Sequence, residues 1–166
     1  MISERRSSLN LLVFELASRR FAIAASAVRE VVALVAITPL PKAPPVVEGL
    51  VNYHGDIIPA LDIRHRFGLP SAPLVPEHHL VIAAVGDRVA ALRVDRATEL
   101  LEIPLDSIDR SAHSITGVEY VDGVVALPDG LLVIHDLDRF LSLEEVAQLD
   151  GLLHEALDSP VASRPV

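Results

Sequence analysis

Alternating positions mark the first regular stretch of this chain. In LLVFEL, Leu11 to Leu16, they put Leu12, Phe14 and Leu16 on one face of a strand. FAIA, Phe21 to Ala24, can pair back across the polar Ser18-Arg19-Arg20 turn, which predicts a β-hairpin. LVIAAV (Leu80 to Val85) and VAALRV (Val89 to Val94) flank the tight Gly86-Asp87-Arg88 turn and predict a second. A third is expected in GVEYVDGVVAL, Gly117 to Leu127. Its turn is placed at Asp122-Gly123, a dipeptide that readily takes the positive φ angles of a type I′ turn.

The stretch VNYHGDIIPALDIRHRFGLP, Val51 to Pro70, holds two histidines, two acids and two arginines between apolar ends. It also reads as a hairpin, because GLVNYH and DIIPALDI are apolar-rich runs separated around His54-Gly55-Asp56, with Gly55 available for a left-handed position. Pro59 has no amide hydrogen to donate, so its strand is expected at an edge, at a bulge or at the corner of a small barrel. One helix closes the pattern. Ser142-Leu143-Glu144-Glu145 is a capping box with Leu141 and Val146 at the staple positions. Val146, Leu149, Leu153 and Leu157 then form one apolar stripe that should lie against the sheet surface.

A faint internal repeat adds to this. Gly49 to Ile63 resembles Gly117 to Leu137, each with a glycine start, a central turn glycine and a late Asp-Ile or Asp-Leu; Arg66-Phe67 and Arg139-Phe140 follow. Two similar hairpin-based halves predict a pair of small barrels sharing a central core. The fold class expected is therefore mainly β, with a C-terminal helix.

Composition narrows the interior. At 166 residues the chain is long enough for a substantial core, and 51% hydrophobic content with only 4% aromatic residues and no tryptophan means aliphatic packing. One domain is expected over residues 1–158, with a flexible tail, low in bulky side chains, over 159–166. With 14 basic against 23 acidic residues the net charge is −9, and the absence of a local basic patch argues against nucleic acid as a partner. No cysteine is present, which removes disulfides, thiolate nucleophiles and cysteine-ligated zinc. The apolar runs Phe21 to Ala27 and Val31 to Leu40 are too short for a bilayer span or a signal peptide, so a cytoplasmic chain without direct membrane insertion is expected.

Candidate chemistry is sparse. His78 and His79 are adjacent and would point apart on a strand, and His135-Asp136 with Asp138 lacks the companions that complete a metal shell. No nucleophile-elbow serine, and neither glycine-rich phosphate loop, occurs among the eight glycines. No catalytic residue, metal or cofactor is assigned. PLPKAPP, Pro39 to Pro45, is stiff and extended; a rigid crossover between hairpins is favoured over a ligand for a proline-reading domain.

The order of these stretches carries a resemblance. LVFEL, FAIAASAVREVV, the proline loop, VEGLVNYHGDIIPALDIRHRFGLP, HLVIAAVGDRVAALRVDRATELLEI and GLLVIHDLDRFL together resemble the chemotaxis coupling protein CheW family. The pattern G-x-x-N-x-x-G-x-I-x-P-x-x-D-[IL]-R in the fourth stretch is its most specific element. The resemblance implies two five-stranded SH3-like barrels and a non-enzymatic adaptor. Its partners would be the cytoplasmic tip of a chemoreceptor, docked in a groove between the barrels, and the regulatory domain of a CheA-type histidine kinase, joined through exposed apolar barrel ends.

Carried over by position, Val28 and Glu30 occupy the receptor-facing segment, and Gly49, Asn52, His54 and Gly55 the conspicuous hairpin. Four of them have a plainer reading: Gly49 and Gly55 as backbone-permissive glycines, Asn52 as satisfying local amides, Glu30 as a solvated charge. Asp62 and Arg64, two residues apart, would share a strand face, either as an ion pair at the sheet edge or as partner contacts. Well-known members carry arginine at the position of His54, so a permanent forked cation is replaced by an imidazole largely uncharged near neutral pH. That departure suggests a divergent chemosensory array. Two rivals remain: a coupling-type domain serving another output protein without receptor contact, and a ligand-binding or hydrolytic barrel using His135, Asp136 and His54.

Overall fold

The computed structural model describes residues 7–111 and 121–158. In chain order its strands are β1 (Ser8–Leu16), β2 (Arg19–Ala24), β3 (Val28–Ala33), β4 (Val47–Tyr53), β5 (Asp56–Leu61), β6 (His79–Val85), β7 (Arg88–Val94), β8 (Arg96–Pro104), β9 (Ile108–Asp109), β10 (Val121–Leu127) and β11 (Gly130–His135), followed by helix α1 (Leu143–Asp158). They form a six-stranded sheet, β8-β1-β2-β11-β10-β9, and a five-stranded one, β3-β6-β7-β5-β4.

Each sheet closes on itself. β8 passes through one 3₁₀ turn, Leu105–Ser107, directly into β9, so the two edges of the larger sheet are a single length of chain. In the smaller sheet, Thr38 beyond β3 donates its N–H to Leu50 O of β4 (2.8 Å), and Leu50 N–H returns to Thr38 O (2.7 Å). Chain continuity thus joins the edges of the larger sheet and one bridge those of the smaller, which curls each sheet toward a barrel.

The halves match through their registers. Val47 pairs with Leu61 and then, after a shift, Gly49 with Ala60; Val121 pairs with His135 and then, after a shift, Gly123 with Ile134. β5 runs parallel to β7 at Ala60↔Ala91, and β11 to β2 at Ile134↔Ala22. Each hairpin ends in an aspartate that caps a 3₁₀ turn: Asp62 accepts Arg64 N–H (3.2 Å) and Asp136 accepts Asp138 N–H (3.0 Å).

This register corrects the expected repeat. Gly123, not Gly117, matches Gly49, and residue 117 lies outside the described residues. Asp122 and Gly123 lie inside β10, and the hairpin turns instead at Pro128-Asp129. Gly123 sits where another strand crosses closely: a Cβ there would lie 2.6 Å from Ile108 Cγ2. Glycine is used here for proximity rather than for a turn. The first hairpin likewise turns at Ala17-Ser18, both at positive φ (51° and 63°), and Arg19 and Arg20 belong to β2. Pro59 is at a barrel corner, in a strand flanked on both sides. Leu50, opposite it, bonds Thr38 on its other edge, and the parallel ladder to β7 begins one residue later, at Ala60. The proline's lack of an N–H is thereby accommodated where the parallel ladder begins.

Three apolar clusters result. Leu11, Val13, Ala22, Ile103, Val125, Leu132 and Ile134 fill the first barrel, and Val51, Ile58, Ala60, Leu80, Ile82 and Ala91 the second. The largest joins them: Leu12, Phe14, Leu16 and Ile23 meet Leu61, Val81, Val85 and Leu92. All four phenylalanines of the chain gather in this joint, with Phe21 and Phe67 stacked at 4.5 Å and His135 against both. The capping box forms as expected, Ser142 Oγ accepting Glu145 N–H (3.1 Å) and Glu145 accepting Ser142 N–H (2.8 Å). Leu149, Val146 and Leu153 pack α1 onto the joint.

Candidate functional site

The stretch from Asn52 to Gly55 forms the tip of the β4–β5 hairpin. Asn52 Oδ1 accepts Gly55 N–H at 2.9 Å, and His54 (φ 51°) and Gly55 (φ 89°) supply the two left-handed residues of a type I′ turn. This tip faces Glu30 on β3, across the seam between the two edge strands of the second barrel. Tyr53 hydroxyl donates a short hydrogen bond to Glu30 Oε2, and His54 Nε2 lies 3.5 Å from the same oxygen. The phenol's hydrogen bond holds the Glu30 carboxyl below its ordinary range, with His54 adding to it, and the same bond pushes Tyr53 up. A polar clasp thus closes one end of the seam while the Thr38–Leu50 pair closes the other. Between them lies a depression of about 280 Å³, floored by Val32, Val51, Leu80 and Ile82.

Val28 belongs to a different surface. With Leu12, Ala25, Val31, Ala97 and Leu100 it lines an apolar groove of about 430 Å³ between β3 of the second barrel and β1 and β8 of the first. Leu100 is 70% exposed there. β3 therefore walls two depressions, Glu30 and Val32 facing the seam and Val28 and Val31 the groove, with a register shift between Val28 and Glu30.

Gly49, Asp62 and Arg64 lie inside the molecule. A Cβ on Gly49 would sit 2.2 Å from Thr38 O, so this glycine admits the strand crossing that shuts the barrel. Asp62 and Arg64 do not share a strand face, because the chain leaves β5 into a 3₁₀ turn at Asp62. Arg64, 4% exposed, pairs with Asp95 (2.5 Å). Asp62 lies 3.5 Å from the buried Arg93, whose Nε bonds both Glu48 oxygens (2.8 and 2.9 Å) and whose other nitrogens reach His78 Nδ1 and Ala72 O (both 3.1 Å). The network pins the 70–78 loop and the 3₁₀ turn to the second barrel.

His78 accepts from Arg93, which requires an unprotonated Nδ1; burial first and Arg93's charge second hold its pKa below the ordinary 6.5. The unfolded chain therefore takes up this proton more readily than the folded one, and stability rises with pH through the range just below 6.5. Asp95 adds to the slope lower down. Burial raises its pKa, but Arg64 and the Ala17 N–H outweigh that and hold it below the usual carboxylate value, so its contribution is lost as the folded form is protonated. The urea midpoint is expected to fall between pH 7.5 and 5.5, and His78→Gln to flatten that slope; an unchanged slope in the variant would contradict the assignment.

The residues suspected of hydrolytic or metal chemistry are not brought together. His135 is buried among Phe21 and Phe67, Asp136 caps its 3₁₀ turn, and His54 stands at the tip of a hairpin in the other sheet. His78 and His79 diverge, one toward Arg93 and the other accepting Ala97 N–H (3.3 Å). Among the described residues no group of three or more His, Asp and Glu side chains is arranged to hold a metal. No described helix is long and apolar enough to cross a membrane.

A family model described as a CheW-like domain matches residues 10–145. The chain belongs to the CheW-like family. A chemotaxis protein CheW of Treponema pallidum is 30% identical over 148 residues, covering 86% of this chain and 87% of that one. The CheW of Rhizobium meliloti is 28% identical over 137 residues (81% and 88%), and the protein FrzA of Myxococcus xanthus 25% over 130 (74% and 81%). The crystal structure of the scaffolding protein TtCheW from Thermoanaerobacter tengcongensis superposes with a TM-score of 0.76 at 28% identity, covering 84% of this chain and 96% of that one. CheW-like proteins are non-enzymatic scaffolds of chemotaxis, and this chain is such an adaptor; the hydrolytic reading is not favoured.

Of the positions carried over by family, Glu30, His54 and Val28 line the two depressions; Tyr53, Val31 and Leu100 line them too and were not among those positions. Leu100 had a signal: in TELLEI one of two adjacent leucines must face outward on a strand, and Leu101 packs against the first barrel's core. Tyr53 had none, because its partner is 23 residues away on a strand it does not pair with.

Proposed function

We propose that this chain couples the cytoplasmic tip of a chemoreceptor to the regulatory domain of a CheA-type histidine kinase. In this reading it works in the cytoplasm and is recruited to membrane receptor arrays. The observation that carries the receptor half is the apolar groove between the barrels, with Val28, Val31 and the exposed Leu100 on its walls. Its form suits one amphipathic helix, whose apolar residues recur every three or four positions and would lie along the cleft. The groove ends next to β3, so Glu30 and the hairpin tip would meet the helix's polar flank. The kinase domain would take the barrel ends, where Ile57 (45% exposed) and Leu131 (72%) occupy matching positions one residue past their hairpin turns. Of the carried-over positions, Val28, Glu30, Asn52 and His54 are proposed contacts. Gly49, Gly55, Asp62 and Arg64 are proposed to act by holding the hairpin and its base in shape.

The experiment is a pull-down with two baits, a receptor signalling fragment and the kinase regulatory domain. Leu100→Asp is expected to weaken receptor capture at least tenfold and to leave kinase capture and thermal stability unchanged, since this side chain is largely in water. Glu30→Arg is expected to weaken receptor capture as well. Undiminished receptor capture by both variants would remove the groove from the reading.

A further inference from the structure

The matched halves differ at one joint. In the first barrel, the N–H of Ala17 at the β1–β2 turn is accepted by Asp95 (2.9 Å), which Arg64 holds from within. In the second barrel the corresponding amide, Gly86 N–H at the β6–β7 turn, is accepted by Asp138 (3.1 Å), the residue matching Arg64. Here a depression of about 510 Å³ opens where the turn, Asp138 and the first turns of α1 meet. Val85, Leu141 and Val146 line it, and Leu143 stands beside it 90% exposed. Leu143 is the most exposed large apolar side chain among the described residues. Neither the capping box nor the core uses it, because the box is made by Ser142 and Glu145 and the helix packs through Val146, Leu149 and Leu153.

The rim carries a net negative charge. Asp87, Asp138 and Asp150 border the depression, and the single cation among them, Arg88, is already paired with Asp150. Its Nε is buried with no acceptor among the described residues. Such a rim repels phosphate groups, which disfavours nucleic acid and anionic lipid, and attracts Lys and Arg. An apolar floor with an acidic border fits a bulky aliphatic side chain that has a cation within one helical turn of it.

We infer that this joint is a third docking surface, receiving a basic amphipathic helix of a partner protein. It shares no lining residue with the interbarrel groove or the Glu30 seam, so all three could be occupied at once. The inference stands apart from the receptor reading and would survive its failure.

The test uses the full chain, labelled with ¹⁵N. The probe is a 14-residue alanine-based helix (about four turns) carrying one Leu with Arg three residues before and four after it, alongside a twin with Glu in place of both Arg. The Arg peptide is expected to shift the amide resonances of Gly86, Asp87, Leu143 and Val146 in a saturable manner, and the Glu twin to leave them in place. Leu143→Ser and Asp87→Lys, both at exposed positions outside the core, should each weaken binding about tenfold without moving the melting temperature. Equal shifts from the two peptides, no shift at these amides at millimolar peptide, or full binding by Leu143→Ser would each overturn the proposal.

Discussion

Gly49→Ala lowers the melting temperature by roughly 6–12 °C, the equivalent of about 3 kcal/mol for a domain of this size. The added methyl would lie 2.2 Å from Thr38 O and 2.7 Å from Thr38 C, both backbone atoms that cannot rotate away. Relief requires β4 and the Thr38 segment to part, which breaks the 2.7 and 2.8 Å hydrogen bonds that close the second barrel. Overpacking of about 1–3 kcal/mol and two hydrogen bonds at about 1 kcal/mol each set the size of the effect. Gly55→Ala is the control: nothing lies within 4 Å of a Cβ there, so only the left-handed backbone (φ 89°) opposes it, at about 1 kcal/mol. Differential scanning calorimetry of the two variants decides the matter. Equal losses would mean that proximity to Thr38 is not what Gly49 provides.

Arg93→Ala costs a similar or larger amount, about 3 kcal/mol or more, for an electrostatic reason. Arg93 is 1% exposed and serves Glu48, Asp62, His78 and Ala72 O at once. Its removal leaves the partly buried Glu48 carboxylate without a counter-charge and three further groups without a donor or neighbouring cation. The deficit belongs to the partners left behind rather than to the arginine alone, so Arg93→Met combined with Glu48→Gln should lose less than Arg93→Ala by itself. Urea unfolding of the three proteins measures this. A loss under about 1 kcal/mol in Arg93→Ala would show that water reaches the network freely. The function at stake is indirect: the network anchors the base of the β4–β5 hairpin, whose tip presents His54 and Tyr53 to Glu30.

The clasp at that tip also bears on His54, where the sequence resemblance led to an expectation of arginine. A guanidinium would have held Glu30 through a permanent charge; here the Tyr53 phenol does so without charge, and His54 Nε2 lies 3.5 Å from the same oxygen. Contact between β3 and the hairpin therefore persists without a permanent cation.

Local rules made much of the fold legible. Alternation in LLVFEL and in the two arms around Gly86-Asp87, the His54-Gly55 turn and the Ser142–Glu145 capping box all state near-neighbour geometry, and each formed where it was read. The errors share a cause. Asp122-Gly123 looks like a turn because the dipeptide is one in isolation, yet Gly123 is needed where Ile108 and Asp109 cross, a contact that no local window contains. Asp62 and Arg64 look like a surface pair because they are two residues apart, yet Arg64 answers to Asp95, 31 residues on.

What the sequence determined by itself was the list of elements, their duplication into two similar halves and the family pattern, all carried by short-range periodicity, turn chemistry and motif order. What only the tertiary structure decided was which edges close, which charges are buried and which apolar residues stay in water. Those outcomes depend on strands distant along the chain arriving side by side, and the free energy of a crossing, a buried ion pair or an exposed leucine such as Leu100 or Leu143 is set by what lies opposite it.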